Sequence, residues 1–334
     1  MAEKREDRPL LEVMMAGIRL PWYFATGVVA ACLLILLALT FFLEQASIED
    51  VTWANLRGPL LPLAVILYVL AIYPPMRKLK EGAVSSLLPL VEANRSARDA
   101  VSDAFSSPRK RSELISVVAG LLVWTALSQP WQWVRSPLAV YAAAVDALMF
   151  GILGFVVLDG LDGTLRVSRM TRRHLKLDIL DVSKLVPVAN WSLAISMAFV
   201  GGISISIAFQ DLGNLRHWQT FIFYAALISV ALVIFFFSMW STHGAIVRAK
   251  RAELSVVEEN LSLAIKELRL TSGHGTAPEN GSVYSGVTAW SAYERKLQEV
   301  PEWPYGAHAV RRLAASVLVP GAVYLVKLLL GWRL

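Results

Sequence analysis

The chain has 334 residues, 56% of them hydrophobic and 17% charged, with mean hydropathy +0.52 and net charge +6. A soluble domain of that make-up would have too little polar surface to stay dissolved, so composition alone points to a membrane. The single cysteine, Cys32, excludes an intramolecular disulfide and a cysteine-rich metal site.

About 20 consecutive apolar residues cross a bilayer as a helix. Trp22–Leu43 meets this without a charge. Val29-Ala30-Ala31-Cys32 within it has the look of a lipoprotein cleavage box. Apolar residues continue to Leu43, however, and a polar stretch precedes the run, which predicts an uncleaved anchor. Apolar runs then follow at 56–76, 114–134, 137–158, 185–209, 220–240 and 314–332, the last containing Lys327. Backbone polar groups in lipid must be satisfied within the segment, so these runs predict helices.

Basic residues orient the spans. The gaps after the first, third and fifth runs carry only Arg57, Arg135 and Arg216, whereas every other Lys and Arg before the final run lies in the alternate gaps or the N-terminus. The expected protein is therefore an all-α integral membrane protein with about seven transmembrane helices. The segments are a cytoplasmic N-terminus (1–21), hairpins at 22–76, 114–158 and 185–241, and cytoplasmic segments at 77–113, 159–184 and 242–312. A C-terminal span follows at 313–334. A plasma membrane of bacterial or archaeal type fits this pattern. Basic loops facing anionic lipid head groups account for the positive charge, so no nucleic-acid partner is expected.

Two cytoplasmic stretches carry helical periodicity. Val84, Leu87, Leu88 and Val91 mark the first. In the second, Leu254, Val257, Leu261, Ala264 and Leu268 form an a/d seam, which fits packing on a neighbouring segment or a short coiled coil holding a homo-oligomer together. The stretch 271–288 is Gly/Ser-rich and predicts a linker. Trp290, Tyr293, Leu297 and Val300 predict an amphipathic helix lying at the interface.

Within the spans, three features carry chemistry. Asp146 is near the middle of the fourth span, where an acid is costly and marks a functional hypothesis; Lys327 is its candidate partner. The fifth span places Ala194, Ala198, Gly202 and Ser206 four residues apart, a spacing for close helix packing. Ser192, Ser196 and Ser204 line an adjacent stripe that could face a polar pathway.

At the end of the fourth span, Asp159-Gly160-Leu161-Asp162-Gly163-Thr164-Leu165-Arg166, with Asp178 and Asp181 downstream, resembles the CDP-alcohol phosphotransferase signature. The resemblance implies that Asp159, Asp162, Asp178 and Asp181 hold a divalent metal and a nucleotide diphosphate. It covers about 25 residues, and three departures weaken its second half. Arg166 comes one residue early, His174 stands where glycine belongs, and Asp178 and Asp181 are three apart instead of four. No Walker loop, HExxH or GxSxG elbow is present, and no cofactor is expected. The sequence favours an oligomeric ion or small-solute channel. The alternatives are a non-conducting sensor or scaffold that binds a cytoplasmic protein, and the metal-dependent phosphotransferase.

Overall fold

The computed structural model describes residues 22–44, 52–90, 110–172, 179, 181–215, 217–272, 281–303 and 307–331. The described elements are helical throughout: α1 Trp22–Leu43, α2 Trp53–Leu87, α3 Lys110–Ser128, α4 Pro137–Arg172, α5 Val186–Phe209, α6 Leu212–Leu215, α7 Trp218–Ser272, α8 Gly281–Glu299 and α9 Ala307–Gly331. Short 3-10 turns at Leu88–Leu90, Pro130–Gln132 and Val182–Leu185 join some of them. The amino-terminal segment 1–21, residues 91–109, Asp178, His174 and linker residues 273–280 lie outside the described residues.

Among the described residues, six stretches are long and apolar enough to cross a membrane: Trp22–Leu43, Asn55–Leu87, Pro137–Gly163, Val182–Phe209, Thr220–Glu267 and Arg311–Leu329. The expected third span is a shorter apolar helix, Glu113–Ser128. It ends early because Gln129 turns left-handed (φ 44°) and Pro130 opens a 3-10 turn. The final run, despite Lys327, is among the six. It runs parallel to α5 along that helix's length: Leu313 packs near Leu193, and Lys327 reaches the carbonyls of Ile207 and Ala208.

Local chemistry explains where α4 starts. Ser136 is its N-cap, accepting the Ala139 N–H at 3.2 Å, and Pro137 occupies the first turn, where no N–H is needed. Just past the end of α1, the Glu44 carboxylate accepts the Leu138 N–H at 3.0 Å, tying α1 to the start of α4. The Ser136 hydroxyl, and then that N–H, hold the Glu44 carboxyl below its ordinary value of 4.5.

α3 and α4 form a hairpin whose close approach rests on glycine. A Cβ on Gly120 would collide with the Phe150 carbonyl, and one on Gly154 would lie 2.5 Å from the Ser116 carbonyl. α2 and α5 meet similarly: the Tyr68 hydroxyl donates to the Ala198 carbonyl at 2.8 Å, with its ring against Gly201 and Gly202. The main core joins α1, α2 and α4 through Leu33, Leu37, Ile66, Val69, Tyr141 and Met149.

The predicted helix around Val84 and Leu87 is the continuation of α2, ended by the 3-10 turn at Pro89. It buries Ala83, Leu87 and Leu90 against Leu185 and Val188 at the start of α5. The sixth run likewise continues unbroken into the segment after it. α7 has 55 residues and extends about 80 Å at 1.5 Å per residue.

Gly120→Val should lower stability by about 1–3 kcal/mol through overpacking, whereas Gly160→Ala, where a Cβ meets nothing within 4 Å, should leave the midpoint unchanged or slightly raised. Thermal unfolding of the purified protein distinguishes the two. Because the folded-state pKa of Glu44 is depressed, its contribution to stability is present above pH 4.5 and is lost as pH falls through the folded value. Glu44→Gln should therefore flatten the acid limb of a stability–pH profile.

Candidate functional site

Polar side chains of the described residues form two groups within the helical bundle and one latch outside it. Asp146 is half-buried on α4, between the buried Val145 and Met149 and nine residues, about 14 Å, from Pro137. The α3–α4 contacts at Gly120/Phe150 and Ser116/Gly154 set an antiparallel register. One turn further on, that register brings Trp124 level with Asp146. Among the described residues, no hydrogen bond or ion pair reaches the Asp146 carboxylate, and the Trp124 indole N–H is buried with no hydrogen-bond partner.

Lys327 does not meet Asp146. Its ammonium donates to the carbonyls of Ile207 (3.2 Å), Ala208 (2.7 Å) and Gln210 (2.5 Å) at the C-terminal end of α5. These carbonyls belong to the last turn, where intrahelical donors run short (Ile207 still accepts the Gln210 N–H at 3.3 Å), and they carry the negative end of the helix dipole, so an ammonium is suited to both. The Arg57–Asp211 ion pair (2.6 Å) closes the same end of the bundle.

The serines predicted to line a pathway make internal contacts. Ser196 donates to the Ala231 carbonyl of α7 at 3.1 Å, and Ser204 bonds back to Val200 of its own helix at 2.8 Å. Ser192 is buried at 2% exposure, with no hydrogen-bond partner among the described residues. Of the small-residue stripe, Ala198 and Gly202 meet Tyr68, and Ser206 shares a 2.9 Å hydrogen bond with Tyr224. Ala194 lies one turn before Ala198 on the same helix.

At the basic end of the bundle a second group gathers. Lys80 pairs with Asp159 at 2.9 Å, Glu113 is 6% exposed, Ser116 is 4% exposed, and Tyr73 is close enough to Asp159 and Glu113 to feel both charges. Tyr73 also lies against Phe155, with ring centroids 6.1 Å apart. Glu113 and Tyr73 escaped sequence reasoning because they fall at the edges of apolar runs. Only the packing of α3 and α2 on α4 carries them inward. Of the four aspartates in the phosphotransferase resemblance, Asp159 is held by Lys80. Asp181, whose carboxyl the Ser183 hydroxyl and then Lys184 hold below the usual range, faces those two residues. Asp162 is on α4 within the same stretch, and Asp178 lies outside the described residues. Among the described residues no three His, Cys, Asp or Glu side chains converge as a metal site would require.

The third group lies beyond the bundle, where α8 packs antiparallel on the far half of α7. Three contacts keep one register: His243 stacks on Trp303 (centroids 4.2 Å, 10°), Lys250 donates to the carbonyls of Gln298 (2.9 Å) and Val300 (3.0 Å), and Tyr293 donates to Glu253 (3.0 Å). Lys250, only 9% exposed, does for α8 what Lys327 does for α5. Of the two alternatives for the a/d seam, packing on a neighbouring segment is the one seen at its start. Leu254 and Val257 of the a/d seam are covered by α8 of the same chain instead of a second copy. The amphipathic face of Trp290, Tyr293, Leu297 and Val300 packs against α7.

No protein family, curated protein or solved structure matches this chain. The class that the fold defines is, over the described residues, an all-helical protein with six helices long and apolar enough to span a membrane.

Replacing Lys250 by Met should strip the α8 terminus of its donor and lower stability by about 2 kcal/mol, the scale for hydrogen bonds to a charged group. Amide exchange should rise first in 290–300. Unchanged protection there would show that apolar packing alone holds the latch.

Proposed function

We propose that the chain is an integral membrane protein of a bacterial or archaeal plasma membrane, crossing the bilayer seven times with its N-terminus in the cytoplasm. We further propose that it works as a non-conducting scaffold or sensor whose α7–α8 hairpin binds a cytoplasmic protein. The charge asymmetry of the gaps supports the orientation. The parallel run of α9 along α5 supports a seventh crossing.

One observation carries the scaffold reading: α7 passes without a break from the bundle into a latched hairpin. A continuous helix transmits displacement along its axis, so an event in the membrane and the posture of the hairpin are mechanically linked. The hairpin also exposes Val256, Leu263, Ile265 and Leu270 on α7, the kind of surface a helical partner covers.

A second reading, the oligomeric ion or small-solute channel, is supported by Asp146, an acid inside a span with no partner among the described residues. It draws less from α5, whose serines bond to helices of the same bundle. The phosphotransferase reading has only the resemblance behind it, with Asp159 neutralised by Lys80.

Liposomes carrying the purified protein should show no ion flux above protein-free vesicles. A photo-crosslinking residue at Leu263 should trap a defined protein in cells, while the same residue at Leu325 should trap none. A flux altered by Asp146→Asn would overturn the scaffold reading in favour of the channel.

A further inference from the structure

On α7, Trp240, Ser241, Gly244 and Arg248 line a groove of about 420 Å³, within the size range of small-molecule sites. Its floor is bare backbone. A Cβ at Gly244 would stand 3.3 Å from Arg248 Nη1, so the guanidinium folds back along the helix over a residue without a side chain. Ser241 is buried, Arg248 is exposed, and Trp240 is 70% exposed.

The position of the groove is fixed from both sides. Two residues after Gly244, Ile246 is buried against Leu185, Val188 and Ala83, which are the basic-end residues of α5 and α2. Lys250 and His243 are tied to the end of α8 and to Trp303. The groove therefore lies at the level where the apolar part of the bundle stops. Arg251 adds a second exposed cation nearby.

We infer that this groove binds the phosphate of an anionic phospholipid head group, an assignment that rests on the membrane reading above. A guanidinium presents paired donors matched to a phosphodiester. A tryptophan at head-group depth places its apolar ring toward acyl chains and its N–H toward the polar layer. The cytoplasmic leaflet supplies anionic lipid at that depth. Because the backbone bearing Arg248 is held on both sides, little ordering is needed when the phosphate arrives.

The test uses the full chain in nanodiscs, with lipid retention read by native mass spectrometry across mixtures of phosphatidylglycerol and phosphatidylcholine. The wild type should retain phosphatidylglycerol selectively. Arg248→Ala should weaken that selectivity by about tenfold, and Arg248→Lys by less, because the charge remains without the paired donors. Gly244→Leu, which fills the floor while leaving the arginine in place, should also reduce retention. Equal retention by the wild type and Arg248→Ala would overturn the assignment. Displacement of the lipid by inorganic phosphate at equal potency would also overturn it, by showing a free-anion site. A chain that fails to stay in bilayers at all would remove the membrane reading and this assignment with it.

Discussion

The seating of Tyr68 on Gly201 and Gly202 sets how closely α2 approaches α5, and the rest of the bundle is arranged around that contact. In lipid, apolar burial drives helices together weakly, since acyl chains are as apolar as leucine. Close backbone approach and hydroxyl-to-carbonyl bonds must do more. α5 supplies both: its glycines admit the Tyr68 ring, Ser196 reaches the backbone of α7, and Ser206 meets Tyr224. α9 then lies along the remaining side of α5. The α3–α4 hairpin repeats the device with Gly120 and Gly154.

Two lysines perform the same task at different places. Each donates to carbonyl oxygens at a helix end, and each carries positive charge to the negative pole of a helix. Lys327 fastens α9 to the end of α5, and Lys250 fastens the end of α8 to α7. Chain order runs α5, α7, α8, α9, so these caps close a circuit. A displacement of the hairpin is resisted at both caps.

Asp146 stands apart from this framework. Lys80 pairs with Asp159, Arg57 with Asp211, and Lys327 with the end of α5, whereas the Asp146 carboxylate is reached by no hydrogen bond or ion pair among the described residues. An acid so placed is costly in a bilayer unless protonated or hydrated. It is the residue on which a transport role would have to be built. The groove at Arg248 lies at the other extreme, open and cationic at the level where lipid phosphates would stand.

The helices were legible from apolar run length, because a backbone in lipid has few alternatives to the helix. Their placement of Trp22–Leu43 and Val182–Phe209 needs no tertiary information. Boundaries were less legible. α2 and α7 run on past their apolar parts because partners outside them, Leu185 with Val188 for α2 and α8 for α7, cover the extension. The candidate sites divide in the same way. Asp146 stands out in sequence because an acid among apolar residues is conspicuous locally. The partner of Lys327, the inward turn of Glu113, and the covering of the Leu254–Val257 seam all depend on which helices meet and in what register. Run length and charge asymmetry, which are local sums over neighbouring residues, determined the class and the expected orientation. Which polar groups satisfy one another was decided only by the tertiary structure, since helix register is set by contacts between residues more than a hundred positions apart, such as Tyr68 with Ala198 and Lys327 with Ile207.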